Sequence, residues 1–385
     1  MATVSRRGAL VGGAGGAAAL SLSANAGASA PQPGQALAAD TPLVSLSDYE
    51  AAAQKRLSPA AWAYFSGGSA DEITLRHNRE ALDRLRLKPR ALVDVTKIDT
   101  SVTLLGQKLP HPILLAPISS HLLAHPDAEV ATAKGAGLAQ AILVASTVSN
   151  RSIEDIRQAA SQPVWFQLYV GDDRGAVKAL IQRAEAAGCK ALCITADNPL
   201  AYARNREERT KAIQPQLPFP NLGITAGPGG RGQSRRHFNW ADLEWIRSFS
   251  KTPIVLKGLI NPDDADEAAK RGVDAMVVSN HGGRVLDTGP ASIEALPLVA
   301  DRVAGRVPIL FDSGVRRGTD IVKALAHGAS AVLIGRPYVY GLSVGGPEGV
   351  QRVVEILRTE LEGAMALTGK TRITDIDRSV LWPGA

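Results

Sequence analysis

The sequence predicts an α/β fold, a (β/α)8 TIM barrel, and three observations carry that prediction. A short apolar, β-rich run recurs eight times from about residue 110 onward: HPILLAP, QAILVAS, PVWFQLY, KALCITAD, TPIVLKG, DAMVVSN, VPILFDS and SAVLIGR. Each run is continuously apolar rather than alternating, the pattern of a strand buried on both faces in a parallel sheet. Stretches rich in Ala, Glu, Lys and Arg, closed by glycine-containing turns, separate the runs, and such alternation gives βαβ units. Eight units close a barrel. An open doubly wound sheet is the alternative. The count of eight, and the lack of a G-x-G-x-x-G after the first run, favour the barrel.

Taken in order, the chain of 385 residues opens on SRRGALVGGAGGAAALSLSANAGASA. Paired arginines, a weakly apolar run and small-residue sites such as Ala28-Ser29-Ala30 read as a twin-arginine export signal and linker over residues 1–40. The alternative is an unstructured Ala/Gly tail. The signal implies a periplasmic or extracellular protein, and a cytoplasmic one if it is not functional. Its apolar run is too short and too glycine-rich for a membrane span. The remainder, 41–385, reads as one barrel domain. A helical segment from about Leu46 to Leu85 precedes the barrel and is expected to pack against one end of it. Helices are predicted over Ser152–Ala160, Ala176–Ala187, Pro262–Arg271 and Thr319–His327. Over fifty residues separate the fourth and fifth runs and include QPQLPFPNLGITAGPGGRGQSRRHF, read as a lid over the barrel mouth. EGVQRVVEILRTELEGAMALTG reads as a final amphipathic helix ended by glycine.

Composition narrows the function. An apolar fraction of 45% and a charged fraction of 21% are those of a soluble globular protein. The charge of +6 is spread along the chain, densest at Arg231, Arg235 and Arg236, with no basic helix or aromatic-interleaved stripe. That argues against nucleic acid and suits small anions. Cys189 and Cys193 fit neither a zinc pattern nor a redox pair and read as buried thiols. His111, His121 and His125 lack acidic or cysteine partners at ligand spacing, so no metal is expected.

Active sites of such barrels lie at the C-terminal ends of the strands. The eight ends supply Pro117, Ile118 and Ser119; Ser146; Gln167 and Tyr169; Thr195, Asp197 and, further on, Arg204; Lys257 and Gly258; Ser279, His281, Gly282, Gly283 and Arg284; Asp312, Ser313, Gly314 and Arg316; Gly335 and Arg336. The glycines and arginines of DSGVRRG and IGRP suit a phosphate site. The amides and hydroxyls of the first three ends suit a heteroaromatic ring, and Lys257 would face any part of it that becomes anionic. Arg204 and Arg284 suit a carboxylate. His281 is the residue fitted to take a proton near neutral pH, with Asp197 to orient it. Gly282 and Gly283 would leave room for ring and substrate. A ring with a phosphate, a base and a carboxylate clamp point to FMN and to oxidation of a 2-hydroxy acid.

On SNHGGRVLD, FDSGVRRGTDIVKALAHGASAVLIGRP, WFQLYV, ITADNP and PRALVDVT, the chain resembles the FMN-dependent L-2-hydroxy acid oxidases and dehydrogenases, which include glycolate oxidase, lactate oxidase, mandelate dehydrogenase and flavocytochrome b2. The resemblance spans roughly residues 45 to 375, and APISSH and FDSGVRRG look most like the lactate oxidase branch. It implies His281 as base with Asp197 as partner, Arg204 and Arg284 on the substrate carboxylate, and Tyr64 and Tyr169 as the two active-site tyrosines. Pro117, Ile118, Ser119, Ser146, Gln167, Thr195, Lys257 and Ser279 match positions around the flavin ring and ribityl chain. Asp312, Gly314, Arg316, Gly335 and Arg336 match its ribityl and phosphate end. It also implies a homotetramer. Ser119 stands where the family usually has Ala or Gly, Val148 where many members have Trp or Tyr, and Val285 where Gln is frequent. These departures bear on the electron acceptor and the acid. The expectation is an oxidase of an L-2-hydroxy acid, lactate first, passing electrons to oxygen. The alternative is a dehydrogenase serving a quinone or protein carrier. A flavin barrel isomerase and a non-enzymatic binding protein are the readings from other classes.

Overall fold

The computed structural model describes residues 42–200, 202–229 and 238–383. The export-signal reading of residues 1–40 and the Arg231, Arg235 and Arg236 cluster lie outside the described residues. Eight parallel strands close a barrel in chain order: β1 (Ile113–Leu115), β2 (Leu143–Ser146), β3 (Val164–Leu168), β4 (Leu192–Thr195), β5 (Ile254–Lys257), β6 (Ala275–Val278), β7 (Ile309–Phe311) and β8 (Ala331–Ile334). β8 returns to β1 with Val332 opposite Ile113. Every residue of these strands is buried. One set of side chains, with Leu114, Val144, Trp165, Val255 and Leu310, fills the barrel interior. The alternate set, with Ile113, Leu143, Phe166, Ile254 and Phe311, packs outward against the helices. Burial on both faces is why the runs are continuously apolar. A hairpin of Val102–Leu104 and Gln107–Leu109, unpredicted, adds Leu104 and Leu109 to the interior cluster.

The N-terminal segment is three helices: α1 (Leu46–Arg56), α2 (Pro59–Ser66) and α3 (Ile73–Arg84). Ser45 caps α1 reciprocally with Asp48, and Ser58 with Pro59 starts α2. α3 is held at the C-terminal end of the barrel by the loop after β6. Asp287 accepts from the backbone N–H groups of Asp71, Ile73 and Thr74 at 3.1, 3.3 and 2.8 Å. Asn78 and Asn280 exchange side-chain amide bonds of 2.9 and 2.7 Å.

The helices between strands are α4 (Ala128–Leu138), α5 (Ile153–Ala159) and α6 (Arg174–Ala186). Between β4 and β5 the chain is more than the predicted loop. It carries α7 (Asn205–Arg209), a hairpin of Leu217–Phe219 and Ile224–Ala226, and then α8 (Trp240–Phe249). Leu217, Phe219 and Ala226 pack on Val148, with Leu122, Leu123 and Tyr169 around them. The hairpin is further pinned by Asn150 Nδ2 donating to Pro218 O at 3.0 Å and by Asn221 Oδ1 accepting from Ile153 N at 3.0 Å. The later helices are α9 (Pro262–Lys270), α10 (Ser292–Val303), α11 (Gly318–Ala326) and α12 (Arg336–Thr368). α12 starts at the end of β8, earlier than the predicted final helix, and bends at the non-helical Gly345 and Gly346. Cys189 and Cys193 are buried free thiols whose pKa values burial pushes up to about 12.

Asp287→Ala removes the acceptor at the start of α3. It is expected to cost about 1–2 kcal/mol of stability, read as a lower urea midpoint.

Candidate functional site

A cavity of about 920 Å³ opens at the C-terminal ends of the strands. Tyr64, Pro117, Ile118, Ser119, Ser146, Tyr169, Arg204, Lys257, His281, Arg284, Asp312, Gly314, Arg316, Gly335 and Arg336 line it. Six residues expected at the site, Gln167, Thr195, Asp197, Gly258, Ser279 and Gly283, do not line it; Gln167, Asp197 and Ser279 are bonded to residues that do, and Thr195 to Gln167. Gln167 Oε1 accepts from Ser146 Oγ at 3.1 Å, and its Nε2 donates to Thr195 Oγ1 at 2.9 Å. This chain crosses from β2 through β3 to β4. Lys257 Nζ donates to Ser279 Oγ at 2.8 Å and lies 3.1 Å from Asp312 Oδ2. Burial disfavours the ammonium, but Asp312 and Asp197 outweigh it and raise the Lys257 pKa, so the lysine stays charged.

His281 Nδ1 lies 3.0 Å from Asp197 Oδ1, which leaves Nε2 as the nitrogen not engaged by the aspartate. The other oxygen, Asp197 Oδ2, is buried with no hydrogen-bond partner among the described residues. Room for Asp197 comes from Gly258, where a Cβ would stand 2.4 Å from the carboxylate carbon. Burial pushes the His281 pKa below its ordinary value, opposed by Asp197, while Lys257 and Arg204 add to the fall. Burial would raise the Asp197 pKa, but His281 and Lys257 hold it below the usual carboxylate range. The pair at neutral pH is therefore a neutral imidazole on an ionised carboxylate, the protonation state of a base.

Arg284 donates through Nη1 to Tyr64 O and Gly67 O, both at 2.7 Å, and its guanidinium lies 5.2 Å over the Tyr64 ring. Its Nη2 donates to Glu207 Oε1 at 2.8 Å. Arg204 Nη1 lies 3.6 Å from the same oxygen. Burial and the Arg284 charge both lower the Arg204 pKa. Sequence reasoning missed Glu207. Its only signal was an acid three residues after Arg204, one helical turn on. Tyr64 Oη and Ser119 Oγ are hydrogen-bonded, and Ser120 Oγ accepts from Gly229 N at 2.9 Å.

Arg336 donates to three backbone carbonyls: Phe65 at 2.9 Å, Gly282 at 3.0 Å and Gly67 at 2.8 Å. It has no carboxylate partner among the described residues, and burial pushes its pKa down to about 10. A partly buried guanidinium served only by carbonyls, with Arg316 nearby and the backbone of Gly314 and Gly335 alongside, calls for an anion. The residues present thus fit a phosphate-bearing ring ligand. The expected purpose of Gly283 is corrected. A Cβ on Gly282 would meet Arg336 Nη1 at 2.8 Å, and one on Gly283 would meet Leu75 N at 2.6 Å. Gly283 thus makes room for α3 and does not line the cavity, whereas Gly282 makes room for Arg336 and also lines the cavity.

A family model described as FMN-dependent dehydrogenase matches residues 53–383. An L-lactate oxidase from Nostoc sp. is 45% identical, over 88% of this chain and 98% of that protein. A 2-hydroxyacid oxidase from Dictyostelium discoideum is 42% identical, over 88% of this chain and 90% of that protein. Among solved structures, mandelate oxidase superposes with a TM-score of 0.81 at 35% identity, covering 89% of this chain and 98% of that one. A double mutant of flavocytochrome b2 with pyruvate bound does so with a TM-score of 0.81 at 35% identity, over 89% of this chain and 87% of that one.

Arg336→Met removes the uncompensated cation while keeping the bulk. It is expected to weaken flavin retention by at least about tenfold, read as flavin absorbance per protein after gel filtration.

Proposed function

We propose that this chain, which belongs to the FMN-dependent dehydrogenase family and oxidises an L-2-hydroxy acid with FMN as its cofactor, is an L-lactate oxidase. The observation that carries the reading is the neutral His281, held by Asp197 at 3.0 Å, facing a cavity that also holds Arg204 and Arg284. Arg204 and Arg284 bind the substrate carboxylate and fix C2 beside the imidazole. Tyr64 and Tyr169 offer phenol groups to the substrate oxygens. His281 takes a proton from the hydroxy acid, and the ionised Asp197 stabilises the imidazolium that forms. FMN, when bound, would supply the oxidant, taking the two electrons together with the second proton.

Pro117, Ile118, Ser119, Ser146 and Lys257 would line the ring, with Gln167, Thr195 and Ser279 setting the orientation of Ser146 and Lys257. Asp312, Gly314, Arg316, Gly335 and Arg336 would hold the ribityl and phosphate end. Lactate and oxygen as co-substrates are supported by the 45% identity to an L-lactate oxidase. A second reading has its own support. Val148 puts a small side chain on the cavity wall, and mandelate oxidase is among the similar structures, which favours a larger or aromatic acid.

Anaerobic mixing with a panel of L-2-hydroxy acids is expected to bleach the flavin fastest with L-lactate, and admitting air is expected to restore its colour within seconds. A faster reaction with mandelate moves the assignment to the second reading. A reduced flavin that persists in air makes the protein a dehydrogenase.

The pH profile follows from the imidazole. Its folded pKa is below 6.5, so the base form persists as pH falls through 6.5, and kcat/KM is expected to decline only below that value. Asp197→Asn removes the group that raises this pKa. The acid limb should then move further down in pH, and kcat should fall by about 10²–10⁴.

A further inference from the structure

The two arginines read as the substrate clamp are not alone. Glu207 is buried, at 1% side-chain exposure, and one of its oxygens serves both: Arg284 Nη2 at 2.8 Å and Arg204 Nη1 at 3.6 Å. Two guanidiniums side by side repel, and burial with the Arg284 charge lowers the pKa of Arg204. Glu207 on α7 lies where it offsets that repulsion, because Arg204 immediately precedes the helix and Glu207 is its third residue.

We propose that Glu207 is a positioning residue that sets the charge of this clamp, so that the site matches a monocarboxylate and disfavours a dicarboxylate. Two guanidiniums and one carboxylate sum to +1. One substrate carboxylate brings the group to neutrality. Glu207 does not itself line the cavity and acts through the arginines, so a second substrate carboxylate would find no charge in this group left to neutralise it. The geometry also divides the labour between the arginines. Nη1 of Arg284 is committed to two carbonyls and Nη2 to Glu207, so Arg284 is the fixed member. Arg204 is the more exposed of the two, at 20% against 14%, and makes the longer contact to Glu207. It is the member that turns to an arriving carboxylate. The inference rests on reading Arg204 and Arg284 as the substrate clamp.

The test uses D-lactate and D-malate, matched non-reacting ligands that differ by one carboxylate, titrated into the FMN-loaded protein and followed by flavin absorbance. The wild-type protein is expected to bind D-lactate at least about tenfold more tightly than D-malate. Glu207→Gln is expected to shift that ratio at least about tenfold toward D-malate, and Glu207→Asp, which keeps the charge, to retain the wild-type ratio. A flavin-loaded Glu207→Gln protein with an unchanged ratio overturns the proposal. So does a wild-type protein with no preference, or a Glu207→Asp protein that loses it, and these hold even if Glu207→Gln fails to fold. The readout needs no turnover. If L-2-hydroxy acids fail to bleach the wild-type flavin, the proposed function fails on its own, whatever the binding ratio is.

Discussion

Two partly buried guanidiniums rest on the carbonyl end of one short helix, and the site is arranged around that fact. α2 presents the carbonyls of Tyr64, Phe65 and Gly67, and Arg284 and Arg336 bind them. Unpaired carbonyls at a helix end favour cations. Arg284 comes from the end of β6 and Arg336 from the end of β8, so this helix end joins the two. It also carries Tyr64 to the cavity. Asp287 and Asn280 then fix α3, and through it the approach of α2, from the barrel side. Without this cradle both arginines would be buried charges with too few acceptors.

The other charges follow the same economy. Lys257 is balanced by Asp312, His281 is kept neutral against Asp197, and Arg204 with Arg284 shares Glu207. Among the described cations of the cavity, Arg336 is the one served only by neutral acceptors. The cavity wall is therefore rich in cations, with Arg336 and Arg316 suited to a phosphate and Arg204 and Arg284 to a small carboxylate. Val148 has two duties. It lines the cavity and is packed beneath the hairpin of Leu217 and Phe219. A change of size there would alter the room for substrate and the seating of the mouth segment together.

The barrel was legible because strands buried on both faces leave an unmistakable apolar record. Most of the site was legible because barrel chemistry gathers just past the strand ends, where Lys257, His281 and Arg336 could be read in line. Glu207 was not, because it lies in the long connection between β4 and β5, where no periodicity says which acid turns inward. Gly282 and Gly283 have protein neighbours that the sequence did not name. A glycine records that something comes close, and what comes close here, Arg336 and Leu75, arrives from distant parts of the chain. The bottom hairpin escaped notice because three-residue strands carry too few side chains for a pattern. The early start of α12 was hidden by Gly345 and Gly346, which resemble a boundary but act as a bend.

The closure of β8 onto β1 has a temporal consequence. The chain emerges from the ribosome with α2 well ahead of its partners, and its carbonyls wait for Arg284 and then Arg336. Val332 must meet Ile113 before the ring is whole, a contact between residues far apart in sequence and slow to form. A nascent chain that stops before β8 has Tyr64, His281 and Asp197 but neither a closed barrel nor Arg336. The cavity wall is complete only once the chain has passed the start of α12.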